Sequence, residues 1–424
     1  MGLYSSFYSS LSGLSSNANA LSVIGNNLSN LNTIGYKGSS ASFQDLFAAS
    51  VGATSTQGNG NPIQIGLGTQ LGAISQNFGQ GSFQSTSNVT DMAIQGQGFF
   101  TLQTKDGGAG YTRAGNFTVD KNGFLVDPNG NNVKGWNRAG NTLSTNGLSV
   151  PVHLDMGTTS PPASTTSLGT VTNLDGGAAT GTVYSTPVQV YDSLGASHSL
   201  LFTYTKDPAV GTWNLDVSTD GVFPDGTKTA VAGFPAQVVF DSNGLMTTPN
   251  PAAANPSLTF GLWPNGATTG KAGVVTWDLV NSGTPSITGY SAASATSSTS
   301  QDGYGAGTVR SMTVNQDGII IGNFTNGQTI PMAQVAISNF ANASGLAKQG
   351  ENMWGETLAS GLAAVGAANQ GGRGTVLGAN LELSNVDVAE EFTRLIINQR
   401  GYQANSRVVT TADSLLQETL NLVR

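Results

Sequence analysis

The chain has no cysteine and, in 424 residues, two histidines, His153 and His198. Without thiols there are no disulfides and no thiolate metal sites, and two isolated histidines could hold a metal only if the fold brought carboxylates to them. The lack of cysteine fits a polymer subunit that avoids cross-linking outside the cell, and fits a cytosolic protein equally. Charge is scarce too: 9% of residues are charged, against about a quarter in ordinary globular chains, so the surface must be made of Ser, Thr, Asn, Gln and Gly. The net charge of −8 and pI near 4.6 disfavour nucleic acid or an anionic membrane as partner, since both require clustered Lys and Arg. No apolar run approaches the roughly 18–20 residues of a membrane-spanning helix. No basic residue precedes Lys37 to open a secretory signal.

Catalytic motifs are equally scarce. There is no P-loop and no Gly-x-Ser-x-Gly elbow. Gly96-Gln97-Gly98-Phe99-Phe100 starts like a dinucleotide loop but lacks the third glycine and a helix pattern behind it. No pair of carboxylates is singled out for glycoside chemistry. We therefore expect no enzyme activity, no cofactor and no metal.

What is present begins at the N-terminus. The first 36 residues contain no Asp, Glu, Lys, Arg or His, yet Tyr4, Phe7, Leu11, Leu14, Ala18, Leu21 and Leu28 recur at steps of three, four and seven, the seam of one helix face. The other face carries Ser5, Ser6, Ser9, Ser12, Ser16, Asn19, Ser22, Asn26 and Asn30. Ser, Asn and Gly are weak helix formers, so the helix is marginal alone and we expect it to order only against neighbouring copies. At the other end, Asn385 to Arg424 has no Pro and one Gly. Leu395, Tyr402, Val409, Leu416 and Val423 recur every seventh residue, with Phe392 and Leu420 among the companion positions. Ser384 or Asn385 is the expected cap, and Glu390 and Arg394 form a favourable i,i+4 pair. Two terminal heptad helices pair antiparallel if the chain between them goes out and returns. The plainer reading of either stripe is an amphipathic helix on a globular core.

Between the helices the pattern is β. Segment 37–75 reads as an extended linker or arm, with Gly/Ser/Thr-rich Ser50 to Asn61 the candidate for absorbing motion. Short apolar strands fall in 76–150 and again in 301–379, and a further β-rich region occupies 151–300, flanked by Thr158–Thr166 and Tyr290–Gly307 as soft necks. One turn recurs, with Asp or Asn first and Gly fourth, at Asp120, Asp127, Asp192, Asp241 and Asn315. As calcium loops these lack the downstream bidentate Glu, so they are read as hairpin tips. The fold class is thus multi-domain α+β. Helices 1–36 and 380–424 form a coiled-coil layer, 76–150 with 301–379 an inner β domain, and 151–300 an outer one inserted into it.

Three blocks carry a resemblance. Leu21-Ser22-Val23-Ile24-Gly25-Asn26-Asn27-Leu28-Ser29-Asn30 with Thr33-Ile34-Gly35-Tyr36-Lys37 resembles the N-terminal signature of the bacterial flagellar rod and hook axial proteins. Asp91 to Phe100, Tyr111 to Phe117 and Gly123-Phe124-Leu125 resemble that family's inner domain. Ser384-Asn385-Val386-Asp387 and Gln399 to Asn405 resemble its C-terminal helix. The long middle region favours the hook branch over the rod branches.

The resemblance implies export by the flagellar type III apparatus without a cleaved signal, and assembly under a hook cap into a short curved tube that acts as a universal joint. Its partners would be further copies of itself and the rod and hook-filament junction proteins, with no nucleic acid and no membrane insertion. Its polymerisation interface would be Tyr4, Phe7, Leu11, Leu14, Leu21, Leu28, Phe392, Leu395, Tyr402, Val409, Leu416, Leu420 and Val423. A distal rod subunit, or more remotely a secreted β-rich adhesin with a coiled-coil stalk, are the competing readings.

Overall fold

A computed structural model describes residues 2–50, 64–140, 142–155, 157, 159–222, 226–250, 255–270, 273–281 and 284–422. Two long helices, α1 (Gly2–Ser29) and α2 (Val388–Leu422), bracket a chain otherwise made of strands. The chain divides into two compact units. The first comprises Met1–Met156, Met312–Gly322 and Ile330–Arg424, and the second Gly157–Ser311 and Asn323–Thr329.

In the first unit, strand Thr329–Asn339 is the sheet's backbone. Residues 332–338 are all buried, as expected of a strand covered on both faces. It pairs antiparallel with Asn132–Ala139 (Gly135 opposite Val335) and with Ala364–Ala367. Asn132–Ala139 pairs in turn with Phe99–Gln103, which hairpins to Ala109–Thr112. On one side of this sheet Phe99, Tyr111, Phe340, Leu346 and Trp354 make a buried cluster with Phe78 against it. Its rings meet edge to face, Tyr111 to Phe340 at 4.8 Å and Phe78 to Trp354 at 5.1 Å, the geometry favoured by the aromatic quadrupole.

The second unit has two sheets. Val183–Tyr191, Ser197–Lys206, Thr212–Thr219, Gln237–Phe240 and Met246–Thr248 form an antiparallel meander. Ser257–Phe260, Val274–Asp278 and Ser167–Asn173 are the centre of the other. Alternate residues of both are buried in one core, including Val190, Phe202, Tyr204, Trp213 and Trp277, the period-two pattern of packed sheets.

Of the two stretches read as soft necks, the second contains a strand. Ala295–Gln301 is a strand lying antiparallel on Ser167–Asn173, and Asp302 accepts hydrogen bonds from the backbone N–H of Thr166 (2.7 Å) and Ser167 (2.9 Å). Ser and Thr there are the water-facing side chains of an edge strand, which is why composition alone resembled a linker.

All five repeated turns are hairpin tips of one design. In each, the leading Asp or Asn accepts the N–H groups two and four residues on: Asn122 and Phe124 on Asp120, Asn129 and Asn131 on Asp127, Leu194 and Ala196 on Asp192, Asn243 and Leu245 on Asp241, Asp317 and Ile319 on Asn315. The fourth residue has φ between 73° and 86°, which glycine adopts without steric cost.

Candidate assembly surface and its anchor

The two terminal helices pair antiparallel within one chain. Gly13 faces Asn405 so closely that a Cβ on Gly13 would lie 2.6 Å from Asn405 Nδ2, and a Cβ on Gly401 would lie 3.1 Å from Asn17 Oδ1. Ten residues along, Asn27 Nδ2 donates to Glu391 Oε1 at 3.2 Å. The contact is therefore reciprocal: a glycine of each helix receives an asparagine of the other, and the register is fixed at both places.

Many polar side chains of the pair are turned onto their own backbone. Ser10 donates to Ser6 O, Ser12 to Ser9 O, Asn17 to Gly13 O, Ser29 to Gly25 O and Asn30 to Asn26 O. On α2, Thr393 donates to Ala389 O and Asn398 to Arg394 O. This back-bonding weakens a helix slightly but uses up donors, and on α1, which carries no charge, it lets the surface be covered without stranding a charge.

The buried face of α1 carries Ser10, Ser16, Ala20, Ile24 and Asn27, one step round from the predicted seam. Of the predicted residues, Phe7, Leu14, Leu21 and Leu28 are half-buried and Leu11 is 47% exposed. On α2, Leu395, Val409 and Leu416 are half-buried, while Phe392 is 52% and Tyr402 37% exposed. Tyr4 and Leu420 lie on the helices, Val423 falls outside the described residues, and so does most of the Ser50 to Asn61 linker. Small residues thus take the centre because glycine permits close approach, and the larger apolar ones are left along the flanks. The intramolecular pairing also departs from the expectation that the ends stay unordered without neighbours. The helices hold one another, and an anchor at their base holds both.

That anchor was not legible from the heptads. Lys37, just after α1, and Glu382, just before α2, form a fully buried ion pair at 2.6 Å. Arg113 of the sheet domain, 4% exposed at its side chain, approaches the other carboxylate oxygen at 3.4 Å. Glu382 Oε1 also accepts the Gln80 amide at 2.5 Å and the Gly81 N–H at 2.9 Å. Lys37 Nζ donates to Gly79 O at 2.8 Å and Arg113 Nη2 to Gly96 O at 2.8 Å. Burial pulls the Lys37 ammonium below the ordinary lysine range, with Glu382 opposing that shift. Around it, Gly35 N donates to Glu382 O and Gly38 N to Asn385 Oδ1. The available signal was scarcity itself: Lys37 is the first charged residue of the chain.

Of two further local expectations, one is corrected and one is met. The cap of α2 is neither Ser384 nor Asn385 but Asp387, whose Oδ1 accepts the N–H groups of Ala389 (2.7 Å) and Glu390 (3.1 Å). Asn385 instead donates to Asn77 O and Gly79 O. The Glu390–Arg394 pair is formed, at 2.6 Å.

Segment 37–75 contains a two-stranded ribbon, Ser39–Asp45 against Thr69–Gln76. It is tied to α1 through Thr69 N to Ser12 Oγ at 3.1 Å, and it leaves Phe43, Leu67 and Ile74 exposed.

Both histidines are held by local contacts. His153 Nε2 lies 2.9 Å from Asn122 O. His198 stacks on Trp263 at 3.6 Å between Asp192 and Asp220.

A buried ionic anchor, a helix pair of which α1 carries no charge, and exposed apolar flanks are the features of an assembly element. Four family profiles match along the chain: "Flagella basal body rod protein" over 7–37, "Flagellar hook protein FlgE/F/G D1 domain" over 93–172, "Flagellar basal body protein FlaE D2 domain" over 164–304, and "Flagellar basal body rod FlgEFG protein C-terminal" over 378–422. The chain is 34% identical to a flagellar hook protein FlgE of Borreliella burgdorferi, with 98% of this chain and 99% of that one aligned. It is 33% identical to the flagellar hook protein FlgE of Salmonella typhimurium over 98% and 100%. A solved structure of Helicobacter pylori flagellar hook protein FlgE2 aligns with 70% of this chain and all of that one at 18% identity and a TM-score of 0.48. The chain belongs to the flagellar hook protein FlgE family.

Proposed function

We propose that this chain polymerises into the flagellar hook, a flexible tube that carries torque from rod to filament, and that it is exported through the type III apparatus without a cleaved signal. Its partners are further copies of itself and, at the two ends, the rod and hook-filament junction proteins, with a hook cap during growth. The helix pair would form the inner layer of the tube and the β regions its wall. The observation that carries this reading is the helix pair: small residues and self-bonded polar groups at its centre, Leu11, Phe392 and Tyr402 exposed on its flanks. Such flanks offer apolar contact to neighbouring helices, and the absence of charge on α1 means that a neighbour can shift without breaking a buried ion pair, a loss of several kcal/mol each. Leu14→Asp or Leu416→Asp is expected to abolish polymer formation in sedimentation and electron microscopy, while the thermal transition of the β regions stays nearly unchanged. A large fall in monomer stability instead would assign these leucines to the chain's own core and overturn the reading.

A further inference from the structure

Seven Asn-Gly dipeptides occur in the chain, at Asn59, Asn122, Asn129, Asn146, Asn243, Asn265 and Asn326. The first lies outside the described residues. In five of the others the glycine N–H is committed to the carbonyl three residues back: Gly123 to Asp120 O, Gly130 to Asp127 O, Gly244 to Asp241 O, Gly266 to Trp263 O and Gly327 to Phe324 O, at 2.8–3.0 Å. Each of these glycines has φ near 80°. Four of the five asparagine side chains are held as well: Asn122 and Asn243 by the carboxylates of their own turns, Asn265 by Asp192, and Asn326 by Ser160 and Gly305.

Asn146-Gly147 differs on every count. Among the described residues the Gly147 N–H has no acceptor, the Asn146 amide makes no hydrogen bond, and Gly147 is not in the left-handed region. Both residues are exposed in an irregular loop between strands Thr142–Leu143 and Val150–Pro151, beside Leu148, which is 93% exposed. The loop is held by the Trp136 indole N–H, which donates to Gly147 O at 2.8 Å.

We infer that Asn146 is a self-modification site, at which the native fold permits deamidation while suppressing it at the other five described Asn-Gly pairs. The Gly147 amide nitrogen, after giving its proton to hydroxide, attacks Asn146 Cγ. The new N–Cγ bond forms a five-membered succinimide, the Cγ–Nδ2 bond breaks, and Nδ2 takes a proton from water and leaves as ammonia. Water then opens the ring at either carbonyl, giving aspartate or isoaspartate. No oxidant or cofactor is involved. At the hairpin tips the same attack requires first opening a turn hydrogen bond, so the reactive geometry is reached only through local unfolding. The product places a carboxylate beside Leu148, and in the isoaspartate form it adds a main-chain atom next to the carbonyl held by Trp136.

The test is a time course of the purified full-length chain at mildly alkaline pH, read by peptide mapping with a fragmentation method that separates aspartate from isoaspartate. Parallel arms use denaturant and the Gly147→Ala variant, whose added Cβ meets open space. Expected is deamidation at Asn146 at least roughly tenfold faster than at Asn122, Asn129, Asn243, Asn265 or Asn326, a lead that disappears in denaturant and a rate that falls roughly tenfold or more in Gly147→Ala. Asn146 reacting no faster than the hairpin-tip sites overturns the inference. So does a lead that persists unchanged in denaturant, since neighbouring sequence and not the fold would then set it.

Discussion

Glu382 serves four donors at once, two of them cationic, in a place that water does not reach. Replacing it by Gln removes the charge and leaves Lys37 and Arg113 buried beside a neutral amide. Breaking a buried pair from one side costs about 3–5 kcal/mol, so Glu382→Gln is expected to lower the urea midpoint of the first unit by a large fraction of its total stability. Lys37→Met leaves the Arg113 pairing in place and should cost less. Tyr111 gives the alkaline counterpart. Burial pushes its hydroxyl up to about 12, with the Glu356 carboxylate adding to the shift. The folded state therefore holds this proton more tightly than the unfolded chain, so the stabilisation is complete below about pH 10. It is lost as pH rises from there towards 12, about 2–3 kcal/mol in all. Tyr111→Phe should flatten the alkaline limb of a stability profile measured by denaturant titration.

Among the elements, α1 and α2 show most clearly what periodicity conveys and what it does not. Their existence and approximate ends followed from spacing and from the absence of Pro, and their antiparallel sense from the condition that the chain between them goes out and returns. The face did not, because a count of large apolar side chains passes over Gly13, Asn17, Gly401 and Asn405, whose smallness and shape set the closest approach. The cap was misplaced for a related reason: Ser384, Asn385 and Asp387 are all good cap residues, and Asn385 is claimed by the loop carbonyls of Asn77 and Gly79. Asp387→Ala is expected to cost about 0.5–2 kcal/mol and to raise amide exchange in the first turn of α2, with the helix centre unchanged. Gly13→Leu, with no room before Asn405, should separate the helices over their middle turns, seen as lost protection around Asn17 and Gly401. The hairpin tips were fully legible, since Asp or Asn first and Gly fourth names both the acceptor and the residue that adopts positive φ.

At the scale of the whole molecule, several carboxylates held below their usual range sit in the second unit. For Asp192, burial by itself would raise the carboxyl, but hydrogen bonds from Asn265, His198 and the N–H groups of Ala196 and Leu194 outweigh it. At Asp302 burial is likewise outweighed, by Ser167 and Thr166. A depressed folded value means that the stabilisation is present above the unfolded carboxylate pKa of about 3.9 and is lost as pH falls below it. Hydrogen exchange of the full chain at decreasing pH is expected to show protection of the second unit falling below about pH 4, with that acid sensitivity reduced in Asp192→Asn. Nothing in the sequence marks this pairing. Asp192 and Asn265 are far apart in the chain, and only the folded sheets bring them to 2.7 Å.

The position of the Lys37–Glu382 contact has a mechanical consequence. Lys37 follows α1, which ends at Ser29, Glu382 precedes α2, which starts at Val388, and Arg113 belongs to the sheet of the first unit. A pull along either helix therefore arrives at the same dry point, bypassing the ribbon of Ser39–Asp45 and Thr69–Gln76. Stretched from its two termini in a force instrument, the molecule should yield first at the paired helices and only later, in a separate step, at this rivet.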